Sequence, residues 1–531
     1  MQEKRAAMTS GISRCTSWIV QQRGRCFSSI LILAYAALTA FGALHHEPWR
    51  DEAQAWLIAR DLSLPDIFHQ MGHEGSPALW HIILLPFAKL GAPYACEFVI
   101  HWMLAVAAVA TFAVFCPFPK IIKIFFVFSY YMACEYSIVA RSYVLTVLLL
   151  FLIAAQYGSR FRRPFVFSAF IFLLFNTNIH SLFAAGALLV LYLYEVISNR
   201  DRRSNPRYYG AVLIMTIGGL TAIMQSIPPP GTFYYNVERM RMAPFRAAAN
   251  AFLPGSASCD APYFIFWDPF LTPKETNAAI FLACGMILVA LLYCLRRPPA
   301  LVFLLLSYSW LGYIFVAKNH GVLRHHGFIM IFIVFALWLA SHYQDGPWMR
   351  QTAARAKWAR AFFGFFGALT WTGLALSQLA SIFMTYRTYK YEYQYCFSGA
   401  KEMAAYMHNS GYDKSTVIVY RAECAAALLP YLPDAKFWYP PLCDYGTFIF
   451  WKDTRQIRGQ RLDQTVERVK QFFPDLSHVL FLLSNSGQDD RLQRTFRLEL
   501  IHKTDGLVLQ KDEAFALYRA TGAPPSAGRS D

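Results

Sequence analysis

The stretch HHEPWRDEAQAWLIARDLSLPDIFHQMGHEGSPALWH, residues 45–81, follows directly on an apolar run, 27–44. It crowds acids, bases and histidines against what reads as a membrane surface. Asp51 and Glu52 lie close to that surface. From Glu52 the pattern predicts a helix through Arg60, with Ala53, Trp56, Leu57 and Arg60 at helical spacing. Glu74 follows, then 75–77. The next apolar stretch, 77–90, contains His81, Pro86 and Lys89 and is too short to cross a bilayer. A solvated loop carrying an amphipathic helix would account for the spacing. It would not account for so many carboxylates and histidines in one loop, so the loop is a candidate functional site.

Working outward, further apolar runs lie on both sides. Spanning a bilayer takes about 20 mostly apolar residues. The runs 27–44, 97–116, 119–134, 141–157, 163–178, 180–197, 209–226, 277–295, 299–317, 323–341 and 361–385 are the candidates. The expected fold is therefore mainly α, a polytopic membrane protein of about eleven transmembrane helices. Composition agrees: 56% of the 531 residues are hydrophobic and 15% are charged, where a soluble domain has roughly a quarter charged. Mean hydropathy is +0.31. A soluble enzyme, a disordered chain and a secreted disulfide scaffold are excluded.

The net charge of +16 has a membrane explanation. The basic residues fall between apolar runs, where Lys and Arg mark cytoplasmic loops, so no nucleic-acid partner is expected. Placing 160–163, 200–207, 296–297 and 350–360 inside puts 176–180, 228–277 and 318–326 outside. Parity then makes 77–90 an interfacial or re-entrant helix, with the N-terminus inside and the C-terminus outside. Residues 1–26 read as a cytoplasmic segment leading into a signal anchor, with no cleavage site after the apolar run. Residues 27–385 form the membrane domain, with 45–96 as its first outside loop. From 386 to 520 charges and turns become common. Strands are expected at 416–420, 436–439 and 478–483, and helices at 400–409 and 463–472, giving a small C-terminal extracytoplasmic α/β domain. The tail 521–531 reads as disordered. The 11 cysteines show no metal-like spacing. Cys259, Cys396, Cys424 and Cys443 are free to pair only in an oxidising compartment.

The order of motifs in the first loop resembles the GT-C superfamily of integral-membrane glycosyltransferases. It is most similar to the family 39-like group: protein O-mannosyltransferases using dolichyl-phosphate mannose, and bacterial aminoarabinose transferases that modify lipid A. The matching residues are Asp51-Glu52 after the first span, Ala59-Arg60 eight residues on, and Glu74-Gly75-Ser76-Pro77. The last stands where relatives carry an Asp-Lys-Pro-Pro-Leu-like element, so the Lys and first Pro are missing here. Arg141-Ser142-Tyr143 is similar to the family's Arg-x-Tyr, and His180 stands where relatives often carry Thr-His-Tyr. The resemblance covers roughly 45–190 in detail and the rest in architecture.

What the resemblance implies is a polyprenyl-phosphate sugar donor, used at the extracytoplasmic face, with a lipid, glycan or protein as acceptor. The residues suit that chemistry. An attacking hydroxyl needs a base, and Asp51 is the first choice. Glu52 and Glu74 are candidates to orient the acceptor, and Asp51 with Glu52 could hold a divalent cation, Mg or Mn. No cofactor is otherwise implied. The departing lipid phosphate needs fixed positive partners. Arg141, Lys318, Arg324 and His325 or His326 lie at outside ends of spans, and arginine suits a phosphate best. Arg60, Tyr143 and His180 complete the candidate binding set. Each has a plainer alternative: a local salt bridge for Arg60, an interfacial anchor for Arg324 and its histidines, a helix-end hydrogen bond for His180. His69, His73 and Glu74 have zinc-like residue types, but Gly72 and the family comparison argue against zinc. The segment 228–235, rich in proline and tyrosine, reads equally as a rigid cover for the site or as plain connection. A transporter or flippase is the rival class, and a polytopic scaffold the third. A bacterial inner membrane is the expected location.

Overall fold

The computed structural model describes residues 25–229, 241–257, 272–355, 357–420, 422–449, 462–484 and 490–521. The N-terminal basic segment up to residue 24, most of the 228–235 cover, Cys259 and the tail from 522 lie outside the described residues.

The chain enters on α1 (Arg25–His45). The first loop then folds as three short helices, α2 (Arg50–Asp61), α3 (Leu64–Glu74) and α4 (Leu79–Lys89). α2 starts where the Glu52 carboxylate reaches back to the Trp49 N–H at 3.1 Å. Its acids sit in the first turn and Arg60 in the last, as the helix dipole favours. Ser63 caps α3, and Gly75, with φ of 67°, ends it in the left-handed region that glycine adopts without strain. The 11 residues of α4 rise only about 16 Å, well short of a bilayer core.

The membrane bundle follows as α5 (Ala95–Phe115), α6 (Lys120–Val127), α7 (Tyr143–Gln156), α8 (Pro164–Phe175), α9 (Leu182–Ile197), α10 (Arg200–Arg203), α11 (Pro206–Ser226), α12 (Ala243–Phe252), α13 (Pro273–Cys294), α14 (Pro298–Ala317), α15 (Leu323–Ala340), α16 (Pro347–Arg355) and α17 (Lys357–Gln394). Among the described residues, 8 helices are long and apolar enough to cross a membrane. The expected spans at 141–157 and 163–178 form shorter apolar helices. The run 119–134 is not one helix. It breaks into α6 and a π-helical turn, Tyr131–Glu135, because α17 competes for its backbone: the Tyr130 N–H goes to Ser381 Oγ at 3.0 Å. α17 also exceeds its expected 361–385. Its 38 residues span about 57 Å, so it continues beyond the apolar run into the C-terminal part.

α15 is the central helix. Its apolar residues from Phe328 to Ala340 are all buried in the main core, and its first turn carries Arg324, His325 and His326.

After α17 come α18 (Ala400–Asn409), β1 (Thr416–Tyr420), α19 (Ala422–Ala425), β2 (Phe437–Tyr439), β3 (Asp444–Gly446), α20 (Leu462–Phe472), β4 (Val479–Leu483), α21 (Asp490–Phe496), β5 (Leu498–Lys503) and β6 (Ala516–Ala520). They form one sheet of order β3-β2-β1-β4-β6-β5, parallel through β2, β1 and β4 and antiparallel at its edges. β3, β5, β6 and α21 were not expected from the sequence. One face of the sheet shares a hydrophobic core with the first loop, in which Leu57, Ile67 and Trp80 join Met403, Leu428 and Phe515. The first loop and the sheet domain thus sit at the same end of the bundle. Cys396, Cys424 and Cys443 are free thiols.

Candidate active site

Asp51 opens α2 at the seam between the loop and the bundle. Its Oδ2 accepts from Arg324 Nη2 at 2.9 Å and lies 3.7 Å from Arg141 Nη1. Arg141 also donates to the Asp51 carbonyl. The Asp51 side chain stays 28% exposed while that of Arg324 is 12% exposed. The carboxylate is therefore reachable; of its two counter-charges Arg324 is set deeper, while Arg141 is as exposed as Asp51 itself. The Arg324 guanidinium lies 5.3 Å from the Trp49 ring, and its Nε is buried without a hydrogen-bond partner. A buried, charged N–H without an acceptor is costly unless a ligand fills the gap.

Glu52 does a different job from its neighbour. It is fully buried. Its Oε1 accepts from the Ala140 N–H at 2.6 Å, and its Oε2 meets the Trp49 N–H and His46 Nε2, both at 3.1 Å. It therefore bolts the residue before Arg141 to the start of α2. His46 donates from its other nitrogen to Glu392 Oε2 at 2.9 Å. Burial opposes a charge on this imidazole, but the carboxylates of Glu392 and Glu52 outweigh it and hold the pKa well above its ordinary value. Sequence reasoning missed His46 and Glu392, since Glu392 is 346 residues away and only the fold joins them.

Glu74 lies on the same side as Asp51 and Arg141. Its Oε1 accepts from Gln54 Nε2 at 3.0 Å and from Gln70 Nε2 at 3.2 Å, and burial pushes its carboxyl pKa up. Gln54 in turn is clamped by both backbone groups of Ile449. His81, on α4, was not singled out; burial, helped by the Arg141 charge, pushes its imidazole pKa down to about 3.

Tyr143, His325 and His180 form one cluster. Tyr143 Oη is 2.9 Å from His325 Nε2, and the His180 and His325 rings stack at 4.5 Å. His326 faces elsewhere, toward Asn250 Nδ2 at 3.3 Å and the His320 carbonyl at 3.2 Å. Two expected residues stand apart. Arg60 is nine positions along α2, about 13 Å from Asp51; it pairs with Asp61 at 2.7 Å and the Leu429 carbonyl at 3.3 Å. Lys318 is exposed.

The donor set does not suit a divalent cation. Glu52 spends both oxygens on the protein, and Asp51 faces two guanidiniums, which would repel a metal. Among the described residues no group of three or more His, Cys, Asp or Glu side chains is arranged to hold a metal ion, at 69–74 or elsewhere.

At the opposite end the basic loops gather. Arg160 makes a two-pronged pair with Glu195 at 2.8 Å, and Arg296 and Arg297 both bind Asp345. The residues expected outside and those expected inside thus occupy opposite ends.

No family model and no curated protein matches the chain. Among solved structures, ArnT from Cupriavidus metallidurans, bound to undecaprenyl phosphate, aligns with 96% of this chain and 98% of its own. The TM-score is 0.51 at 10% sequence identity. The chain has the ArnT fold. It matches the polytopic, mainly helical architecture expected from the sequence, with eight spanning-length helices among the described residues where about eleven spans were expected. At this identity the likeness to ArnT concerns the fold alone. The ArnT fold here carries Asp51 beside two arginines, with the sheet domain at the same end.

Proposed function

We propose that the chain is a membrane glycosyltransferase that moves a sugar from a polyprenyl-phosphate donor to an acceptor hydroxyl at the extracytoplasmic face, in a bacterial inner membrane. The observation that carries this reading is Asp51 held between Arg141 and Arg324, with the Arg324 Nε still lacking an acceptor. An ArnT-like fold, solved elsewhere with undecaprenyl phosphate bound, supports it.

The chemistry follows from the arrangement. The donor phosphate enters beside Arg141 and Arg324 and competes with Asp51 for their N–H groups, as a two-pronged guanidinium favours. That competition loosens Asp51 toward the acceptor. The acceptor oxygen bonds to the anomeric carbon while the carbon–oxygen bond to phosphate breaks. The acceptor proton passes to the Asp51 carboxylate, and the bond's electron pair leaves with the polyprenyl phosphate. The arginines hold the growing negative charge. Glu74, on the same side as Asp51, orients the acceptor. A single displacement inverts the anomeric configuration.

The test is a panel of radiolabelled polyprenyl-phosphate sugars presented to the purified chain in proteoliposomes. At least one donor is expected to lose its label to an acceptor, with inverted configuration. No transfer from any donor in the panel would favour the transporter class instead.

A further inference from the structure

We propose that Tyr143 hydrogen-bonds through its hydroxyl proton to the phosphate of the lipid-linked donor, and that His325 is the positioning residue that aims it. The inference rests on the donor class proposed above. The argument begins at a backbone amide. The Val322 N–H points at His325 Nδ1 at 3.1 Å. An amide N–H only donates, so Nδ1 must carry a lone pair, and the proton of the neutral ring sits on Nε2. That Nε2–H then donates to Tyr143 Oη at 2.9 Å. The phenol oxygen is an acceptor in this pair, so its own proton must point elsewhere.

The surroundings decide where. Tyr143 is buried. The rings of Tyr136 and Phe328 close two of its sides, at 6.4 and 5.8 Å. His180 stacks on His325 with 15° between ring planes and keeps the imidazole from turning. The polar side is that of Arg141, whose guanidinium lies 5.9 Å from the Tyr143 ring. Arg141 is the cation on that side, and a phosphate held there would take the hydrogen bond of the hydroxyl proton. A neutral donor there strengthens its hydrogen bond as the departing oxygen gains charge, and no proton is transferred.

The experiment measures binding of undecaprenyl phosphate and of the phosphate-free polyprenol to the full chain in nanodiscs, alongside transfer kinetics with the best donor. The wild type is expected to prefer the phosphate. Tyr143→Phe, which keeps the ring, is expected to cut that preference roughly 10-fold or more and to lower kcat more than it raises KM. His325→Gln should recover most of it, because its amide oxygen can accept from Val322 and its NH2 can donate to Tyr143. His325→Leu should behave as Tyr143→Phe does. If the wild type shows no preference for the phosphate, the donor reading fails and this inference with it. If the wild type discriminates and Tyr143→Phe discriminates equally, the donor reading stands and the Tyr143 role is overturned. Nitrogen-15 histidine spectra of the wild type, assigned by loss of one signal in His325→Leu, give an independent check. An Nε2–H tautomer is expected, and an Nδ1–H tautomer would overturn the relay.

Discussion

Asp51 and Glu52 are neighbours in sequence with opposite environments, and the difference sets what each substitution should do. Glu52 has no free oxygen and no exposure. Glu52→Gln takes away the charge facing His46 and replaces an acceptor with an N–H opposite a backbone N–H. We expect a stability loss of about 3 kcal/mol, read as a lower melting temperature. An unchanged melting temperature would remove Glu52 from the structural role assigned here. Arg324→Lys keeps the charge but loses the fork and the contact with Trp49. The donor KM should rise about 10-fold with little change in the protein's stability. Equal KM values would place the phosphate elsewhere. The sequence showed part of this. The cluster of 45–81 and the Arg-x-Tyr at 141–143 were legible because charged groups beside apolar runs are rare. The division of labour between Asp51 and Glu52 was not, because it depends on the Ala140 N–H, 88 residues away.

At the scale of elements, α4 is anchored by one side chain. The Ala78 N–H donates to Gln225 Oε1 at 3.0 Å, and Gln225 Nε2 donates to Asn176 Oδ1 at 3.0 Å. Gln225→Leu leaves the Ala78 N–H unpaired and Asn176 Oδ1 with Thr221 Oγ1 at 3.3 Å as its remaining donor, at a cost of about 1–3 kcal/mol. Hydrogen exchange should rise at the start of α4 more than in α15. Uniform exchange would show that α4 is held by its apolar contacts instead. Element type was legible where a period was strong: α2, α18 and β1 lie where the pattern put them. The π-helical turn was illegible because Ser381 draws off the Tyr130 N–H across 251 residues. β5 was illegible because its side chains are half-buried or exposed and give no clear alternation, while the pairing with β6 supplies its order.

Across the whole molecule, the sheet domain grips the first loop one residue before the proposed base. Arg50 Nη1 binds Asp512 Oδ2 at 2.6 Å, and Glu513 accepts from the Arg50 N–H at 3.1 Å and from Ser398 Oγ at 2.7 Å. Burial pushes the Glu513 carboxyl pKa up to about 8, from an ordinary 4.5. A carboxyl raised on folding contributes stability that is complete below the ordinary value and is lost as pH rises through the folded one. Stability should therefore decline between pH 4.5 and 8, and Glu513→Gln should flatten that slope. A slope unchanged in the variant would assign it to other groups. The overall architecture was legible from apolar runs and charge asymmetry. The shared core that joins the loop to the sheet domain was not, because it links residues such as Leu57 and Phe515 through tertiary contact alone.

The most direct test of the central claim compares the wild type with Asp51→Asn in single-turnover transfer from the best polyprenyl-phosphate sugar, at equal protein level and melting temperature. The substitution keeps the shape and removes the base. The account predicts a rate at least about 100-fold lower in the variant, with polyprenyl-phosphate binding retained. Transfer at the wild-type rate by Asp51→Asn would contradict it.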